Sequence, residues 1–409
     1  MAENPNKEVQ NQPQNNILKS SDAQDVEVIT QSQPDTNPVV KSRRFEELDL
    51  SRSLPLLLLP LVHIYEEFEL IEALEEDIVE KYDWILYLCT LMPSVFMLLM
   101  GANVRFSRRT TPDFLIKRGC HLLIAGVMLN VYRFIIPSII GTIFTGETED
   151  FYGEYGTLYF TLTPDIYDFA GLAFILLGFL TKYKISPLAI ILIAMLMVTI
   201  DTIIPDFSTG ITYIDGFLGR FIYMNEDSCF PLLTWFVFPT IGYYVGYYYK
   251  NFEKEIQRKY FMIKTFFISF TALVGFCFVL NSYDIDPLLI MTSPANTYIT
   301  DFTNVVMLTF LAGMWFALFY FIYFKVKNTK ICQFFVFISK DILLYYVTQW
   351  IIIGWAEYMC TYFVDKTEYM NKVIFWVSVV VTMILSTLNT YFISKNEKVK
   401  KIFLKLFFL

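Results

Sequence analysis

The feature that most constrains this chain is a long succession of apolar segments, each near 20 residues, separated by short charged loops. A stretch of ~20 apolar residues matches the hydrocarbon thickness of a bilayer when it is helical. With 55% hydrophobic residues and a mean hydropathy of +0.46, 409 residues are too apolar for a soluble domain. The windows fall near 53–72, 84–104, 119–139, 165–182, 185–205, 230–249, 261–281, 301–325, 332–356 and 373–394. The reading is an all-α membrane protein, a polytopic bundle of about ten transmembrane helices.

The junctions between these segments alternate in charge. Lys41, Arg43 and Arg44 precede the first, and a run of glutamates and aspartates from Glu66 to Asp83 follows it. Arg105, Arg108, Arg109, Lys117 and Arg118 follow the second, and the acidic stretch Glu147–Glu154 follows the third. The pattern persists to Lys395, Lys398, Lys400 and Lys401. Basic loops stay on the cytoplasmic side, so both termini are expected there. The net charge of −8 says little about partners, because the charges are sorted by loop.

Residues 1–44 are polar and lack aliphatic runs, too few apolar groups to offset the entropy of ordering, and read as a disordered tail. No cleavable signal peptide is visible, so the first span is expected to act as an uncleaved anchor. Residues 45–395 form the transmembrane domain, and 396–409 a basic-hydrophobic cytoplasmic tail. The six cysteines are scattered without metal-type spacing, which argues for apolar packing and for no metal site. Phosphate-binding glycine loops and nucleic-acid modules are absent from the sequence, and the basic residues are split among short loops.

Arg52 and His63 stand out within the first span. Eleven helical steps bring them to nearly one face, roughly 16 Å apart along the axis. With Arg52 at the membrane edge, His63 lies near the middle of the hydrocarbon layer. A titratable group at that depth is costly and marks a functional site by default. Glu66 and Glu67 follow one turn later, within roughly 60° of the histidine's face. Pro55 and Pro60 interrupt the helix ladder, and such interruptions at depth accompany a cavity. The simplest reading is a polar path across much of the membrane.

From Asp49-Leu-Ser-Arg52 to His63, the segment resembles the first-helix signature of the heparan-α-glucosaminide N-acetyltransferase-like proteins, within the acyltransferase-3 superfamily of membrane acyltransferases. Further segments are similar in order: Pro93 to Gly101, Phe114-Leu-Ile-Lys-Arg118, Asp165 to Gly171, Phe230-Pro-Leu-Leu-Thr-Trp235 and Ile338 to Tyr345. The sequence departs from the pattern at Ser53, at His121 where a second arginine is usual, and at Gln349 where a histidine is usual.

The resemblance implies acyl transfer from cytosolic acyl-CoA, with acetyl as the group, to a hydroxyl or amine of a cell-envelope or extracellular glycan. No permanently bound cofactor is implied; acyl-CoA is a co-substrate, and the partners are the bilayer and a glycan acceptor rather than nucleic acid. A multi-pass protein of the cell membrane is expected. His63 is then a general base or an acyl carrier, with Glu66 or Glu67 orienting it or relaying the proton. Arg52, Arg118, Arg105, Arg108 and His121 are candidates for the CoA end, since guanidinium groups suit phosphate. Asp165 and Trp235 are candidates for the acceptor. A competing reading is a proton-coupled transporter or flippase using the same polar path; transporters often carry internal repeats, and no second copy of the first-span pattern is visible.

Overall fold

The computed structural model describes residues 45–67, 76–107, 110–146, 156–204, 208–222, 228–287, 301–363 and 372–407. The tail 1–44, the loop residues 68–75 and Arg108 lie outside them. Among the described residues the chain is helical, with no strand. The helices are α1 (Glu46–Glu67), α2 (Glu76–Phe106), α3 (Pro112–Asn130), α4 (Ile136–Thr145), α5 (Gly156–Leu162), α6 (Ile166–Lys182), α7 (Pro187–Ile203) and α8 (Thr212–Leu218). They continue as α9 (Leu232–Trp235), α10 (Val237–Tyr249), α11 (Glu255–Ser282), α12 (Phe302–Val326), α13 (Lys330–Lys340), α14 (Ile342–Phe363), α15 (Lys372–Lys395) and α16 (Glu397–Leu406).

Local chemistry sets many of the starts. Thr111, Ser186, Asp301 and Thr329 each accept a backbone N–H of the first turn of α3, α7, α12 and α13. These caps satisfy donors that the helix itself leaves unpaired. Pro112 and Pro187 stand in the first turn, where a missing N–H costs nothing.

Among the described residues, five helical stretches are long and apolar enough to cross a membrane: Glu46–Tyr65, Pro112–Thr145, Glu255–Ser282, Phe302–Val326 and Val373–Lys395. The count rises to six if α13 and α14, bent by 79° at Asp341, form one span. The helices α6 and α7 have 17 residues each, only ~26 Å of helix against ~30 Å of hydrocarbon. By length and composition, then, the described helices account for five or six crossings, and the count of ten rests on the sequence windows alone. The span expected over 332–356 is bent rather than continuous. Asp341 breaks it, accepting a hydrogen bond from Ser394 (2.7 Å) and pairing with Lys400.

The helices are arranged around α1. The apolar window of α1 is 78% buried inside the protein, against 11% for that of α11, so α1 is central and α11 peripheral. Two irregularities shape this centre. Pro55 has no N–H for the carbonyl of Ser51, one turn back. The indole Nε1 of Trp315 on α12 donates to that carbonyl at 2.7 Å. Between α3 and α4, residues Val131–Ile135 make a π-turn. In π geometry the carbonyl of Tyr132 points to residue 137, another proline. Here Trp355 Nε1, from α14, donates to Tyr132 O at 3.1 Å.

Candidate functional site

A cavity of about 810 Å³ lies beside α1, lined by residues of α1, α2, α3, the π-turn, α6 and α14. Arg52, Asn103, Ser107 and Arg118 line it toward the α1 N-terminal end. His63, Tyr346 and Trp350 line its middle, and Asn130, Arg133, Thr163 and Glu357 its far end. Leu56, Phe96, Met97, Met100, Phe169 and Phe174 supply apolar wall between the polar groups. Apolar walls with a few converging polar groups are typical of small-molecule sites.

His63 is 6% exposed and fixed from two sides. Its Nδ1 lies 3.0 Å from Gln349 Nε2. Its ring stacks on Trp350 with centroids 3.9 Å apart and planes at 16°. The edge of Tyr346 closes a third side at 6.0 Å. The guanidinium of Arg133 lies 3.5 Å from the centroid of the Trp350 ring. Imidazole, indole and guanidinium thus form one contiguous group, with a cation–π contact at its end.

Arg52 is anchored rather than pendant. Its Nε donates to Ser339 Oγ (2.7 Å), and its Nη2 to Ser339 O (2.9 Å) and to Asp49 Oδ1 (2.7 Å). The arginine therefore ties α1 to the last turn of α13, beside the bend, while still lining the cavity.

Asp165 caps α6 and accepts the hydroxyl of Tyr346 at 2.6 Å. Asp168 accepts the backbone N–H of Asp165 in return and pairs with Arg220 at 3.0 Å. The Asp165 carboxylate is thus held by a capping box and a tyrosine, with an ion pair behind it.

The structure gathers some of the candidate residues and separates others. Arg52, His63, Arg118 and Asp165 line one cavity. Arg105 points elsewhere: its guanidinium lies 4.8 Å and 4.7 Å from the rings of Tyr243 and Tyr247, and it donates to Tyr243 Oη. His121 is exposed and does not line the cavity. Trp235 is fully buried against Phe230 and Phe238, so it has no face to offer a sugar. Arg108 and the side chains of Glu66 and Glu67 lie outside the described residues.

Sequence reasoning missed Arg133, Tyr346, Trp350 and Glu357, and noted Gln349 only as a departure. Arg133 carried a usable signal, because a charged residue inside an apolar segment marks function by default; Glu357 fell just past the window 332–356 and read as a loop residue. Tyr346 and Trp350 carried none, being two aromatics in a chain that is 18% aromatic.

Residues 44–277, more than half of the chain, match the family described as heparan-alpha-glucosaminide N-acetyltransferase, catalytic. No curated protein and no solved structure matches the chain. The matched stretch runs from α1 into α11 and holds Arg52, His63, Arg118, Arg133 and Asp165; Gln349, Trp350 and Glu357 lie beyond it.

Proposed function

This chain belongs to the heparan-alpha-glucosaminide N-acetyltransferase catalytic family, and from that premise we propose that it moves an acetyl group from cytosolic acetyl-CoA to a glycan hydroxyl or amine, with His63 as the reacting base. The coarser statement, a membrane protein of acetyltransferase type, follows from family membership and the apolar helices. The observation that carries the finer reading is that Arg52, His63 and Asp165 line one continuous cavity within the family-matched stretch.

In this reading the cavity is used from both ends. Loop charges put the Arg52 end at the cytoplasm, where Arg52 and Arg118 meet the phosphates of CoA. The acetyl thioester reaches inward to His63, roughly 16 Å deeper. The acceptor enters from the far end, past Arg133, Glu357 and Asp165. Gln349 occupies Nδ1 of His63 from outside the cavity lining, so Nε2 is the nitrogen that meets ligands. Nε2 takes the proton of the acceptor hydroxyl or amine as its oxygen or nitrogen bonds to the acetyl carbon. The C–S bond breaks, and the proton passes to the CoA thiolate. The setting is the plasma membrane, with ten crossings and both termini inside.

The test is purified protein in micelles with radiolabelled acetyl-CoA and glucosamine as probe acceptor. His63→Ala is expected to lower transfer by ~10²–10⁴-fold, the range for losing a general base, while thermal stability and membrane insertion are retained. Undiminished acetylation in that variant would refute the assignment.

A further inference from the structure

Among the described residues, Gln349 is the one that hydrogen-bonds the His63 ring. It stands 286 positions away in sequence, is fully buried, and does not line the cavity. Its other amide atom, Oε1, has no hydrogen-bond partner among the described residues. An amide oxygen and nitrogen are nearly the same size, so which one faces Nδ1 is set by the hydrogen-bond network. With Nε2 facing Nδ1, the amide donates and the imidazole proton must sit on its own Nε2. A half-turn about the last torsion puts Oε1 there, and no other bond of Oε1 opposes that turn. Oε1 then accepts from Nδ1–H, and the bare Nε2 of His63 faces the cavity.

We infer that Gln349 is the positioning residue that holds His63 in the Nδ1–H tautomer and confines it to base catalysis, excluding an acetyl-histidine intermediate. The inference rests on the base role proposed for His63. Its logic is proton balance. In direct transfer the acceptor proton enters at Nε2 and leaves from Nε2 to the CoA thiolate, so the Nδ1 proton never moves. An amide oxygen suffices to hold it. In the covalent route, Nε2 attacks the thioester carbon, an N–C bond forms and the C–S bond breaks. The product becomes a neutral acetylimidazole only if Nδ1 sheds its proton. An amide has no basic atom to take that proton, unlike the carboxylate or imidazole that would serve a histidine nucleophile. Trp350 stacked on the ring and Tyr346 beside it fix the plane of the imidazole, and Gln349, outside the cavity lining, holds its Nδ1 edge.

The chain has two histidines, so ¹⁵N-histidine labelling of the His121→Asn variant reports His63 alone. The expected spectrum shows a protonated Nδ1 and an unprotonated Nε2 at neutral pH, with both tautomers mixed in Gln349→Leu. A protonated Nε2 in the His121→Asn protein would overturn the inference. In acetyl transfer to glucosamine, Gln349→Leu is expected to lose about tenfold or more in kcat, in line with other groups that orient a functional imidazole, with KM for acetyl-CoA unchanged. Gln349→Glu is expected to move the acid limb of the pH profile up by about a unit or more, since a neighbouring carboxylate favours imidazolium. Intact mass after acetyl-CoA alone is expected to show no adduct at His63, and a stoichiometric one refutes the confinement to base catalysis. An active His63→Ala sinks the base reading itself. An inactive His63→Ala beside a Gln349→Leu with wild-type kcat sinks only the role of Gln349.

Discussion

Gly242→Ala is the substitution whose consequence the fold dictates most sharply. Gly242 on α10 faces α2, and a β-carbon built there would stand 1.8 Å from the carbonyl oxygen of Leu98. The contact is reciprocal, since a β-carbon on Gly101 of α2 would stand 1.9 Å from the carbonyl oxygen of Pro239. Both obstacles are backbone, so no side chain can swing aside. Real β-carbons essentially never come within 3.0 Å of another atom, and the two helices must therefore part locally by about 1.2 Å. Small residues that let backbones touch are a main source of helix association in membranes. Overpacking of this kind costs ~1–3 kcal/mol, and the rigid partner places this case near ~3 kcal/mol. The parting also reaches the site, because α2 contributes Phe96, Met97, Met100 and Asn103 to the cavity wall. A displacement of ~1 Å at a reaction centre can cost ~10²-fold in rate. Equilibrium unfolding in mixed micelles reads the first effect and acetyl transfer the second. Gly275→Ala is the internal control, since its β-carbon would meet nothing within 4 Å. If Gly242→Ala unfolds within ~0.5 kcal/mol of wild type and of that control, the ordinary range for a surface change, backbone contact does not hold α2 to α10.

Two further substitutions probe the groups that frame the cavity. Trp315→Phe keeps the ring against Phe319 but removes the donor to Ser51 O; the stranded carbonyl is expected to cost ~1–3 kcal/mol in the same unfolding measurement, and no loss would mean another group takes it up. Arg220→Gln removes the partner of Asp168, a pair whose side chains are 13% and 7% exposed, so stability is expected to fall by ~3 kcal/mol, with partial recovery when Asp168→Asn is added. Additive losses in that double variant would show that the two side chains are not coupled.

What the sequence could disclose was what depends on near neighbours. Helical class follows from segment length and hydropathy alone. The Arg52–His63 relation is legible too, because both belong to one helix and the helical repeat fixes their relative place. The bend at Asp341 was not legible, since the segments that flank Lys340 and Asp341 are both apolar and hydropathy carries no direction. Only the adjacent charges Lys340 and Asp341 hinted at it, and the partners of Asp341, Ser394 and Lys400, come from the end of the chain. The neighbours of His63 were hidden for a related reason. Gln349 and Trp350 reach it from α14, and nothing in their local pattern separates a residue that meets an imidazole from one that meets another helix. Trp235 shows the opposite error, a ring type associated with interfaces that the fold spends on its core.

The irregular backbone around the cavity has a common cause and a common remedy. A proline inside a membrane helix frees a carbonyl that no water can reach, so the break persists only where another group donates to it. Pro55 frees Ser51 O, and Pro137 leaves Tyr132 O without its π-turn donor. Each carbonyl is met by a tryptophan indole from a different helix, Trp315 and Trp355. The first break lies two turns before His63 on α1, and the second adjoins Arg133. The two indoles therefore hold the stretches that present the imidazole and the guanidinium, which are 70 positions apart in sequence but joined by Trp350 in space. The helix of α1 runs on through Pro55 and keeps the Arg52–His63 face, whereas a regular α-helix in place of the π-turn would turn the residues beyond it onto a different face. The prolines and the site are thus one design: the tryptophans donate to the carbonyls that the prolines leave bare, and so keep the stretches bearing His63 and Arg133 stable in lipid.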